Sequence, residues 1–179
     1  MLIKSLAVFC GSQEGSDPSF AQQTELLGNW MAAENIRLVY GGGNVGLMGI
    51  VANAVLTGGG TATGVIPQIL DKRERSHKTL TELLVVADMH TRKRKMYELC
   101  DAAVILPGGY GTLDELFEMI TWNNLSIHDK NIYIININGY YDHLLAHIET
   151  MLQSGFLYED PMRKITVVKD IAGLKEVVG

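Results

Sequence analysis

Two apolar rhythms alternate along this chain. Short apolar-rich runs at 4–10, 36–40, 61–66, 83–87, 102–106, 131–136 and 165–168 have the length of buried strands. Between them, apolar residues recur at helical spacing. The stretch 19–34 carries Leu26, Leu27, Trp30 and Met31 on one stripe, and 113–125 carries Leu113, Leu116, Phe117 and Ile120. Further helices are predicted over 47–56, 89–99 and 140–153, with a short one at the end. Glycine-rich turns join strand to helix, and this alternation predicts parallel βαβ units with helices on both faces of the sheet. The expected fold is α/β, a single-domain, Rossmann-like, doubly wound parallel sheet spanning residues 1–179. One segment, 68–79, breaks the rhythm. It is rich in charge and poor in apolar residues, so it reads as a mobile surface segment or lid.

Composition narrows the class. A chain of 179 residues suits one full core, and 47% hydrophobic with 20% charged residues is ordinary for a soluble globular protein. A net charge of −5 argues against a nucleic-acid surface. No apolar run is long enough to span a membrane, and the N-terminus lacks a signal-peptide layout. Cys10 and Cys100 stand in apolar contexts and read as buried free thiols, which points to the cytoplasm.

The chemistry concentrates in Pro107-Gly108-Gly109-Tyr110-Gly111-Thr112-Leu113-Asp114-Glu115, between a strand and a helix. Glycines let the backbone close on a ligand, and the free amides and dipole of a helix start favour an anion, most naturally phosphate. Thr112-x-x-Glu115 also fits a capping box, and the capping and functional roles of Glu115 can coexist. Gly41-x-Gly43-x-x-Gly46 has the form of a dinucleotide fingerprint in the right setting. The next strand is followed by no carboxylate until Asp71, which disfavours NAD, but this second turn opens on the same sheet edge and can share a ligand with the first. In the basic run 90–95, Arg92 sits near the helix entrance, where it can reach an anion or stack on a base, with Met89 and Met96 on the packed side and Lys93 about 100° away. Asp114 and Glu115 are adjacent, so at most one is expected to face the crevice. His90 and His128 are isolated, and no zinc spacing or Ser-His-Asp order emerges.

Met89-His90-x-Arg92-Lys93 followed by Pro107-Gly108-Gly109-x-Gly111-Thr112-x-x-Glu115 resembles the LOG family of cytokinin-activating phosphoribohydrolases. Val39-Tyr40-Gly41-Gly42-Gly43-x-Val45-Gly46-Leu47-Met48-Gly49, Gly64-Val65-Ile66-Pro67, Ile120-Thr121-Trp122 and Asn138-Gly139-Tyr140-Tyr141-Asp142 match it too, so the likeness covers nearly the whole chain. Asn124, Ser126 and Asn131 depart from the pattern, away from the turn that holds Glu115. The resemblance implies a Rossmann-like homodimer that cleaves the N-glycosidic bond of adenosine-type 5′-monophosphates, releasing free base and ribose 5-phosphate. It implies Arg92 and Glu115 as catalytic residues, and Gly42, Gly43, Met89, Lys93, Gly108, Gly109, Gly111 and Thr112 as substrate-binding positions. No metal and no cofactor are expected, nor a nucleic-acid or membrane partner. The older label of lysine decarboxylase finds no lysine in an evident pyridoxal-phosphate setting. The rival reading is a non-catalytic nucleotide or cofactor carrier, similar to molybdenum-cofactor carriers, which would have no reason to keep Arg92 and Glu115 together.

Overall fold

The computed structural model describes residues 3–71, 76–158 and 160–178. Seven strands, β1 (Ser5–Phe9), β2 (Arg37–Tyr40), β3 (Ala62–Pro67), β4 (Glu82–Val86), β5 (Ala102–Ile105), β6 (Ile132–Ile135) and β7 (Ile165–Val168), pair in parallel throughout in the order β4-β3-β2-β1-β5-β6-β7. The helices are α1 (Pro18–Ala33), α2 (Gly46–Thr57), α3 (Gln68–Asp71), α4 (Met89–Leu99), α5 (Tyr110–Asn124), α6 (Asp142–Gln153) and α7 (Ile171–Val178).

Period-two geometry explains why β1 reads as one apolar run. Leu6 and Val8 face a core built with Leu27 and Met31 of α1, Leu47, Val51 and Val55 of α2, and Ile171 and Leu174 of α7. Ala7 and Phe9 face the opposite core, with Met96 and Tyr97 of α4, Leu116 and Met119 of α5, and Leu144 and Leu145 of α6. The doubly wound expectation therefore holds. Strand order runs one way from β1 through β4 and the other way from β5 through β7. The switch between β1 and β5 opens a crevice at their carboxyl ends, where this class of sheet binds ligands.

Two local expectations need correction. The helix predicted from Leu113 begins at Tyr110, with Gly109 at its N-cap and no side-chain hydrogen bond capping it. Thr112 lies inside the first turn and is not the N-cap, so Thr112-x-x-Glu115 is not a capping box. The register of glycines misled the reading, because Gly111 is tolerated within the helix start. The charged segment 68–79 is also more tightly packed than its composition suggests. Ser76 and His77 are buried, and Ser76 forms an antiparallel bridge with Gly43. The His77 amide donates to the Gly42 carbonyl at 2.9 Å, and its Nε2 lies 3.1 Å from Asn53 Oδ1. The stretch 72–75, the centre of the expected lid, lies outside the described residues. Among the described residues, no helix is long and apolar enough to cross a membrane.

Asp101 ties the entry of β5 to that of β1. Its Oδ2 accepts from the Lys4 amide (2.8 Å), the Ser5 amide (2.9 Å) and the Ser5 hydroxyl (3.0 Å). Partial burial pushes the Asp101 carboxyl up, but those donors outweigh it and hold it below the usual carboxylate range. A lowered native value means the stabilisation is complete above the ordinary carboxylate range and is lost as pH falls through the native value. Asp101→Ala is expected to cost about 1 kcal/mol near neutrality, below the usual range for charged hydrogen bonds because the group is exposed. The gap in denaturation midpoint between wild type and variant should then narrow on acidification from about pH 6 to about pH 2. A gap that stayed constant across that window would refute the assignment.

Candidate active site

Three loops leave the carboxyl ends of β1, β2 and β5, and their backbones interlock. The Gly11 amide donates to the Pro107 carbonyl at 3.0 Å, and the Leu47 amide donates to the Gly11 carbonyl at 3.1 Å. Gly46 has a positive φ of 56°, and a Cβ there would stand 2.3 Å from the Ser12 carbonyl carbon. Only glycine satisfies both the dihedral and the approach. From behind the β5 turn, the Tyr140 hydroxyl donates to the Gly108 carbonyl at 2.6 Å and the buried Tyr141 hydroxyl to the Leu106 carbonyl at 2.7 Å. The carbonyls of Leu106, Pro107 and Gly108 are thus all engaged by protein donors. Gly109 and Gly111 are exposed at the start of α5, and Thr112 is buried beside Gly108.

Together these loops border a cleft of about 1250 Å³, lined by residues 10–16 of the β1 loop, Val45, Gly46 and Met48 of the β2 turn and α2, Leu70, Met89 and Arg92, and Gly109–Thr112 with Asp114 and Glu115. Asp88 starts α4 by accepting from the Thr91 amide at 2.7 Å, which sets Met89 and Arg92 on the first turn of that helix. The Arg92 side chain is almost wholly buried. Its Nε donates to the Val65 carbonyl at 3.0 Å and one terminal nitrogen to the Gly41 carbonyl at 2.9 Å, while the other lies 3.9 Å from the Met89 sulfur. A Cβ on Gly41 would fall 2.0 Å from that guanidinium nitrogen, so the glycine is what admits the arginine. Met89, expected on the packed side, is instead 37% exposed and lines the cleft; Met96 is fully buried as expected.

Glu115 lines the same cleft from the second turn of α5, beyond the first turn over which a helix dipole acts strongly. The thiol of Cys10, on the cleft wall, is pushed up by burial first and by the Glu115 carboxylate second. Asp114 borders the same cleft, contrary to the expectation that only one of the adjacent carboxylates would do so. The Asp114 carboxylate is nevertheless spoken for. Its Oδ2 lies 3.0 Å from Lys93 Nζ, which also lies 3.1 Å from Glu118 Oε2. Lys93 itself is buried and does not line the cleft. Desolvation presses its ammonium down, but hydrogen bonds to Asp114 and Glu118 outweigh this and raise it above the ordinary lysine value.

Of the residues singled out from sequence, Arg92, Glu115, Met89, Gly109, Gly111 and Thr112 come together around one cavity. Gly42, Gly43, Gly108 and Lys93 lie behind its lining, where Gly42 and Gly43 hold the segment 76–77 and Gly108 packs on Thr112. The β1 loop, Cys10, Met48 and Leu70 were missed. Only their position after a strand or at a helix start could have drawn notice. His128, read as structural, packs against the rings of Tyr97 and Trp122.

The comparisons agree with this architecture. Residues 48–177 match the family described as "Possible lysine decarboxylase". The chain is 47% identical over 154 residues to the cytokinin riboside 5'-monophosphate phosphoribohydrolase LOG3 of Arabidopsis thaliana, covering 86% of this chain and 72% of that protein. It is 47% identical over 171 residues to the cytokinin riboside 5'-monophosphate phosphoribohydrolase of Rhodococcoides fascians, covering 95% and 86%. Among solved structures, the molybdenum cofactor binding protein of Rippkaea orientalis aligns with a TM-score of 0.73 at 18% identity over 99% of this chain and 96% of that one. The Moco carrier protein of Chlamydomonas reinhardtii aligns at 0.69 and 18%, over 97% and 94%. At such identity these two speak for the fold alone, whereas the family match and the close relatives carry the assignment: the chain belongs to the LOG family of phosphoribohydrolases.

Proposed function

We propose that this protein hydrolyses the N-glycosidic bond of an adenosine-type nucleoside 5′-monophosphate, a cytokinin ribotide or AMP, to free base and ribose 5-phosphate. The observation that carries the reading is the presence, on one cleft, of a preorganised guanidinium and a carboxylate: Arg92 is fixed by two backbone carbonyls, and Glu115 lines the same cleft from α5. The names of relatives that share nearly half of this sequence supply the substrate class.

In the reaction, the bond from C1′ to the base nitrogen breaks and its electron pair leaves with the base. The sugar passes through an oxocarbenium-like transition state, as in other glycoside cleavages. The oxygen of water then bonds to C1′, one water proton ends on the base, and the sugar leaves as ribose 5-phosphate. Glu115 stabilises the developing cation and orients or deprotonates the water. Arg92 holds the nucleotide against that carboxylate with a donor edge already immobilised, so little ordering is left to the moment of binding. The exposed amides at Gly109 and Gly111 and the Thr112 hydroxyl suit the 5′-phosphate. We read the protein as a homodimer, in line with the family resemblance, and as cytoplasmic, in line with its two buried free thiols. A carrier of the same fold would bind a nucleotide and release it unchanged.

Incubation with AMP and with isopentenyl-type ribotides should yield the free base on chromatography without added metal or NAD. Adenosine as the product would indicate a phosphatase, and unchanged nucleotide a carrier. Turnover of adenosine should fall at least about tenfold below that of its monophosphate, because phosphate contacts contribute to the transition state; equal rates would remove the phosphate assignment.

Glu115→Gln keeps size and polarity but removes the charge, and should lower kcat about 100-fold or more with little change in melting temperature. A folded variant with near-normal kcat would exclude the carboxylate from catalysis. Gly41→Ala should also impair turnover, since its methyl occupies the guanidinium's place. A Gly41→Ala enzyme with unaltered kcat/KM would show that the Arg92 pose is dispensable.

A further inference from the structure

Lys93 follows Arg92 on α4, and Asp114 precedes Glu115 on α5, so each proposed catalytic side chain has a neighbour in the same ion pair. The ammonium of Lys93 bridges Asp114 Oδ2 at 3.0 Å and Glu118 Oε2 at 3.1 Å. One helical turn further along α4, the Tyr97 hydroxyl donates to Glu118 Oε2 at 3.2 Å and also reaches the backbone carbonyl of Glu115 at 3.0 Å. The Glu115 backbone is therefore bracketed by α4 on three counts: through the residue before it, through the residue one turn after it, and through its own carbonyl. Lys93 is 6% exposed and lies outside the cleft lining, although its motif position had suggested substrate contact.

We infer that Lys93 is a positioning residue rather than a substrate ligand: with Asp114, Glu118 and Tyr97 it clamps α5 to α4 and so sets where the Glu115 carboxylate stands relative to the Arg92 guanidinium. The inference rests on the hydrolase reading above. The physical logic is one of division of labour. Arg92 is fixed from the sheet, by the carbonyls of Val65 and Gly41, whereas Glu115 rides on a helix whose start has no side-chain cap. A buried cation between two carboxylates of that helix supplies the register that the first turn lacks. The arrangement is also one-sided in its vulnerability. Deleting Lys93 leaves Asp114 and Glu118 facing each other with Glu115 between them in sequence, whereas deleting Asp114 removes one arm and leaves the Lys93–Glu118 contact.

The test compares Lys93→Met, Lys93→Arg, Asp114→Asn and the double variant Lys93→Met/Asp114→Asn by steady-state kinetics on the best nucleotide substrate, with melting temperatures measured alongside. Lys93→Met should lower kcat about 100-fold, the scale expected when a reacting group is displaced by about an ångström. Its KM should change less than about threefold, since a displaced group acts on the transition state more than on binding. Lys93→Arg should recover much of that loss. Asp114→Asn should lower kcat less, and adding it to Lys93→Met should cause little further loss, the non-additivity of groups acting as one unit. If Lys93→Met does not fold, Asp114→Asn and Lys93→Arg carry the same comparison. A rise in KM at unchanged kcat would overturn the inference and return Lys93 to substrate binding. A lower melting temperature with unchanged kcat and KM would overturn it in favour of a purely structural ion pair. A wild-type enzyme without turnover would instead overturn the hydrolase reading beneath it, so the two failures are distinguishable.

Discussion

A guanidinium taken out of water must be given acceptors, because burying a charge unpaired costs several kcal/mol or more. Much of the architecture of this cleft follows from meeting that demand at Arg92. The acceptors are the carbonyl of Gly41, just past the end of β2, and that of Val65 within β3, one residue beyond the last β2–β3 pair. Reaching the β2 carbonyl excludes any side chain at Gly41. The turn that follows then holds the segment 76–77 through Gly42 and Gly43, and His77 in turn leans on Asn53 of α2. One charged group thereby ties together two strands, a glycine turn and a returning strap.

The α5 side of the cleft is organised differently. Glu115 lies on a helix packed on one side by Leu116 and Met119, and that helix starts at Gly109 without a side-chain cap. Charge pairing with α4 takes over there from the sheet. The carrier structures superpose over almost the whole length at 18% identity, while the phosphoribohydrolases share 47%. The layered fold is common property, and function lies with the side chains set on its rim.

How much of this was legible beforehand depended on the range of each interaction. Strands buried on both faces, and helices with one apolar stripe, announce themselves locally, so all seven strands stood out, and α4 was delimited to the residue. The glycine turns were legible as turns, but not what their glycines were for. Gly41 makes room for an arginine more than fifty residues later, a relation no local pattern records. The start of α5 was misplaced because Thr112-x-x-Glu115 satisfies a capping rule that the backbone, capped at Gly109, does not use. Lys93 looked like a surface or ligand-binding cation, since its two carboxylate partners lie on another helix. The buried Ser76 and His77 were hidden by charged neighbours in the sequence.

The interlock of the β1, β2 and β5 loops bears on how such a cleft can diversify. Its contacts are peptide to peptide: Gly11 with Pro107, Leu47 with Gly11, and Gly46 against Ser12. Contacts of that kind are indifferent to most side chains but intolerant of any change in chain length, since one inserted residue would carry Gly46 away from the only place where its missing Cβ matters. New substrate preferences on this scaffold must therefore arise by replacement at the rim, at positions such as Ser12, Met48, Leu70 and Met89, and not by lengthening the loops. The geometry holds the grammar of the site constant and leaves its vocabulary open.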